Sequence, residues 1–154
     1  MINTLYQMIE DNKINLIERD LTPLDPILKG LYFDNVILLD NHFDTQAELK
    51  CVLAEEIGHY HTSVGDILDK KVLHKEKEEE KAGRWAVDKL INPNDFIAAY
   101  NAGVRNRAEL AEFLDVTEEF IEIALKHFTK VYGDRLILDK YTVFFDPLWV
   151  FKEL

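Results

Sequence analysis

The chain has 154 residues, of which 47% are hydrophobic, and a net charge of −11. That length predicts one domain, or one with a small appendage, and an apolar fraction of this size excludes general disorder. The acidic balance excludes a broad nucleic-acid surface, which needs clustered Lys and Arg, and apolar runs as short as Val36 to Leu39 exclude a membrane-spanning helix.

The opening stretch, MINTLYQMIEDNKINLIERD, is broken by charges and lacks the apolar core of a signal peptide. It predicts an amphipathic helix that ends before LTPLDPILKG, where Pro23, Pro26 and Gly30 break regular structure. In LYFDNVILLD, Asp34-Asn35 separates two β-favouring runs, which predicts a hairpin with Val36 to Leu39 as its better strand.

Asp44-Thr45 opens the next helix, with Thr45 and Glu48 at capping-box spacing. Leu49, Val52, Leu53 and Ile57 recur at helical spacing as its buried stripe. Cys51, the one cysteine, excludes an internal disulfide framework and fits a reducing cytoplasm. Its apolar neighbours predict a buried side chain rather than a nucleophile. Gly58 lets a neighbouring element come close, and Gly65 is expected beyond the helix end.

A second long helix is expected from about Asp69 to Leu90, stopped at Pro93. Shorter helices follow at Asp95 to Ala102, Arg107 to Leu114 and Thr117 to Tyr132. The ending, DKYTVFFDPLWVFKEL, predicts two strands turning at Asp146-Pro147, or one irregular extended segment. The expected fold is α+β and mostly helical. Residues 1–93 form its core, and 94–154 form a helical module with a terminal extended segment packed on that core.

Within the first long helix, AEEIGHYHTSVGDI stands one residue away from His-Glu-x-x-His, the zinc-protease signature. Glu55 takes the place of the first histidine. Residues i and i+4 share a helix face, so Glu55 and His59 can hold one ion between them. Glu56, rotated about 100° from Glu55, falls beside that ion, where it can take a proton from water. Catalytic zinc needs a third protein ligand. In the second helix Ala82, Trp85, Ala86 and Leu90 define the inward face, and Glu78 and Glu79 both lie near its edges, so periodicity leaves either as the third ligand. In a chain with 29 acidic residues, a solvated acidic helix competes with this metal site. His61 points away from the ion on an intact helix and approaches it, as an auxiliary group, only if the helix frays. His42, His74 and His127 have no spacing partner and are read as ordinary residues.

KCVLAEEIGHYHTSVGDI followed by EEKAGRWAVDKLINP resembles the ImmA/IrrE family of metallopeptidases, common in prophages and integrative elements. The family's second motif, Glu-x-x-Ala-x-x-Phe-Ala before a proline, appears as Glu79, Ala82, Trp85, Ala86 and Pro93. The resemblance covers most of the chain and implies a zincin-like core of a hairpin or short sheet with two long helices. It selects Glu79 as the third ligand beside Glu55 and His59, with Glu56 as general base. The Glu-Glu-x-Gly-His form resembles that of phage-type members. The family implies one divalent cofactor, zinc first, whereas two carboxylates and one imidazole also suit manganese or iron. It further implies a cytoplasmic protein acting on a helix-turn-helix phage or prophage repressor. Two modes are open: water-mediated peptide hydrolysis, or docking as a catalytically silent antirepressor.

The tail, RAELAEFLDVTEEFIEIALKHF, has helix-turn-helix spacing. Its second helix opens on Glu118, Glu119 and Glu122, which would repel phosphate, so the module predicts protein contact and no nucleic-acid binding.

Overall fold

Asn12 and Lys13 end the first helix earlier than its charge pattern predicts. In the computed structural model, which describes residues 1–63 and 72–154 (without the side chains of 72–75), α1 spans Ile2–Asp11 and buries Leu5 and Ile9. Asn12 Nδ2 donates to the Met8 carbonyl at 2.7 Å, Lys13 adopts a φ of 55°, and the Ile14 N–H returns to the Ile9 carbonyl at 3.0 Å. This left-handed C-cap reverses the chain. The next residues form β1 (Asn15–Arg19). The single amphipathic helix expected over this stretch is therefore a helix and a strand, because five residues are too few to display alternation against the preceding helical period.

Asp34 and Asn35 take φ values of 46° and 61°, the two left-handed positions of a tight hairpin turn. The turn joins β2 (Gly30–Phe33) to β3 (Val36–Asp40), with Tyr32 opposite Ile37. The hairpin thus lies where the sequence places it. β1 adds in parallel on the other side of β3, leaving β2 at an edge. Asp40 closes the intervening loop by accepting the Leu21 N–H at 3.0 Å and pairing with Lys29 at 3.1 Å. Those two contacts hold its carboxyl below the usual range.

α2 (Gln46–Thr62) starts at Thr45, whose Oγ1 accepts the Glu48 N–H at 3.1 Å. The Glu48 carboxylate reaches the Asp44 N–H, one residue before the reciprocal partner of a standard capping box. Leu53 and Ile57 are fully buried, Leu49 and Val52 partly so, and Cys51 is buried. α3 (Val72–Leu90) buries Ala82, Ala86 and Val87. The expected positions of Gly65 and Asp69 lie outside the described residues.

The chain divides into two compact units, Met1–Ala86 and Val87–Leu154, the division falling inside α3. In the second unit α4 (Asn94–Asn101) and α5 (Arg107–Leu114) precede α6 (Glu118–Tyr132). Asn106 caps α5 and Thr117 caps α6, each accepting the N–H three residues on. Three strands follow, β4 (Arg135–Leu138), β5 (Tyr141–Phe145) and β6 (Leu148–Lys152), as an antiparallel meander in the order β4-β5-β6. Phe96, Phe128 and Phe145 pack ring against ring at its centre. The expected two strands, or irregular segment, are joined by β4, whose four residues follow directly on α6 and Gly133. Six helices and two small sheets make the described residues α+β, about half helical rather than mostly so. None of the described helices is long and apolar enough to cross a membrane.

Candidate metal centre

Two glycines set the spacing around α2. A Cβ at Gly58 would lie 2.5 Å from the main-chain oxygen of Ala82, so only glycine allows α3 this close. On the other side, a Cβ at Gly30 would lie 2.8 Å from Val52 Cγ1 and 3.0 Å from Glu56 Cγ and Oε1. Glycine there lets the edge strand β2 press against the Glu56 side chain.

Between these contacts α2 presents its carboxylates and imidazole in different directions. His59, 10% exposed at its side chain, meets Glu79 of α3 with Nε2 and Oε1 3.2 Å apart. Glu79 itself is 65% exposed, so it covers the histidine from the solvent side. Periodicity left Glu78 and Glu79 open; Glu79 is the residue that reaches His59. Glu56 is buried on the β2 side, where the Tyr32 backbone amide favours its ionised form slightly. Its Oε2 is enclosed with no hydrogen-bond partner among the described residues.

The electrostatics follow from crowding acid groups into a poorly solvated place. Burial, reinforced by the Glu79 charge and opposed by His59, pushes Glu55 up to about 7. Burial likewise pushes Glu56 up to about 7, with His59 the main opposing influence. For His59 burial disfavours the charge, but the Glu79 hydrogen bond and the three surrounding carboxylates outweigh it and raise the imidazole above its usual value.

Among the described residues no group of three His, Cys, Asp or Glu side chains converges closely enough to cage an ion. The donor chemistry nonetheless fits one. Two ligand atoms at about 2.1 Å from a tetrahedral ion stand roughly 3.4 Å apart, close to the observed His59–Glu79 separation of 3.2 Å. Glu55, one helical turn before His59, feels both Glu79 and His59 electrostatically. A cation there would favour the ionised forms of Glu55 and Glu56 that burial disfavours.

His61 lies elsewhere. α2 stays helical through Thr62, and the His61 ring stacks on Trp85 at 4.7 Å, with Tyr60 against its other contact edge at 5.0 Å. His42 makes an exposed contact with Asp44, and the side chain of His74 lies outside the described residues. His127, read as an ordinary residue, is buried, and its Nε2 bonds Asp88 Oδ1 at 2.7 Å. No motif spacing connects those two residues, which lie on different helices, so the sequence carries no signal for the pair.

A helix packed on a small sheet, with an imidazole that meets a carboxylate of the neighbouring helix, fits a metallopeptidase-like α+β domain. The family model described as the IrrE N-terminal-like domain (Peptidase M78) matches residues 9–126, most of the chain. The chain belongs to this ImmA/IrrE family, whose members are generally zinc-dependent. Comparison with curated proteins and with solved structures gives no match.

Proposed function

We propose that the protein is a cytoplasmic, phage-type peptidase that hydrolyses a peptide bond in a helix-turn-helix repressor. The observation that carries this reading is the His59–Glu79 contact at 3.2 Å beside the buried, underbonded carboxylate of Glu56. Glu55, His59 and Glu79 would hold one divalent ion, zinc first and manganese or iron as alternatives. Such an ion supplies a polarised carbonyl and a more acidic water. The chain's own part is proton handling. Burial raises Glu56 above an ordinary carboxylate, so it is a better proton acceptor and can take the proton of the attacking water and return it to the leaving amine.

The exposed Glu118, Glu119 and Glu122 at the start of α6 support a partner that is protein rather than DNA. A second reading, a silent antirepressor that docks without cutting, is favoured by Glu55 at the first ligand position. Glu56→Gln separates the two. Gln keeps the volume and leaves the three ligands intact but cannot serve as the base, a role worth about 10²–10⁴-fold in rate. A peptidase loses cleavage and derepression with this substitution while retaining repressor binding and metal. Wild-type derepression by Glu56→Gln in a reporter assay would reject the peptidase reading.

A further inference from the structure

The second unit encloses a cavity of about 450 Å³ that the metal centre does not use. Its floor is made by Phe96, Ala99, Leu110, Ile121 and Leu125, all buried, so it reaches the core of the unit rather than dimpling its surface. Unfilled space among apolar side chains forfeits dispersion contacts on every wall. The volume also lies within the range of about 300–1,000 Å³ typical of small-molecule sites. Trp149 of β6, exposed over most of its ring, forms one lip.

Among the described residues, the charged side chains that line the cavity are both basic, with Glu109 and Glu122 standing behind them. Arg105 and Arg107 line it, and no Asp or Glu does, although the chain has 29 acidic residues against 18 basic ones. Arg107 is engaged by Glu122 at 2.6 Å. Glu109 takes the backbone N–H of Arg105 at 2.8 Å, while the Arg105 guanidinium makes no ion pair among the described residues. An unengaged guanidinium over an apolar cavity is a fork for one carboxylate.

We infer that this cavity binds an amphipathic monocarboxylate, its alkyl chain or ring on the Phe96–Leu125 floor and its carboxylate on Arg105. One guanidinium without an ion pair among the described residues matches one negative charge. The enclosed floor takes a slender apolar group better than the face of a protein helix.

The test is calorimetric titration of the full chain with octanoate, decanoate and dodecanoate below their micelle concentrations, with decanol as the uncharged probe. Affinity rises about fourfold per methylene until the cavity is full. Arg105→Ala weakens decanoate by roughly 10-fold or more, the worth of a charge-assisted hydrogen bond, and leaves decanol unchanged. Ala99→Leu fills the floor and removes binding of both probes. Leu110→Phe does the same and serves if the first variant misfolds. Absence of saturable binding, or equal decanoate affinity in Arg105→Ala, would overturn the assignment. So would binding of an acidic, apolar peptide by a protein that ignores all three carboxylates, which would mark a docking groove instead.

Discussion

Gly58→Ala tests whether the close approach of α2 and α3 builds the metal centre. The added methyl would meet the Ala82 oxygen at 2.5 Å and its carbonyl carbon and Cα at 3.1 Å, all main-chain atoms that no rotamer change can remove. Restoring ordinary contact requires α3 to withdraw by about 1 Å. Such overpacking costs about 1–3 kcal/mol, and the better helix propensity of Ala returns about 1 kcal/mol. The expected net loss is up to about 2 kcal/mol, a fall in Tm of up to roughly 8 °C for a chain of this size. Glu79 lies one turn before Ala82 on α3, so its separation from His59 opens from 3.2 Å, and metal affinity should fall about 10–100-fold, as for other losses of ligand support. Thermal melts with and without added zinc, together with a zinc titration, measure both effects. Ala82→Gly should not rescue the variant, because the clash is with backbone. A Gly58→Ala protein that melts no lower than wild type and binds zinc equally well would refute the reasoning.

Gly30→Ala should act in the opposite sense: its methyl displaces Val52 and Glu56 rather than α3, so cleavage falls while zinc affinity stays near wild type. Equal losses of both would contradict that division of labour. In the metal-free protein, stability should decline as pH rises. Glu55 and Glu56, raised from 4.5 to about 7 by burial, keep protons that the unfolded chain has released. Their stabilisation is therefore present in full below about 4.5 and lost as pH passes 7. Urea midpoints at pH 5 and pH 8 check this, with zinc expected to restore the loss at pH 8; a midpoint that rises between those values without metal would contradict it.

How much of this was legible in the sequence depends on where each signal lies. The turn at Asp34-Asn35, the Thr45 and Thr117 caps and the Gly58 approach are local chemistry, and each stands where the residues place it. β1 and β4 were not legible: both are short and follow a helix directly, and their stability comes from pairing with strands distant in sequence. Glu79 opposite His59 is a tertiary juxtaposition. Periodicity narrowed it to two residues, and the resemblance to the family chose between them. Gly30 reads as a loop breaker in sequence, but its role is to admit Glu56 against β2, which needs the packed helix to be seen. The His127–Asp88 pair and the cavity of the second unit lie outside any spacing rule, since each joins residues from separate elements.

The central claim is that Glu55, His59 and Glu79 hold one divalent ion while Glu56 stands beside it. Elemental analysis of protein purified without chelators or a metal-binding tag tests this most directly. The expected result is one divalent ion per chain in wild type and in Glu56→Gln, and essentially none in a folded His59→Ala variant, which lacks the one nitrogen ligand. A metal-free wild type that takes up no zinc on titration, or a His59→Ala protein that holds as much metal as wild type, would contradict it.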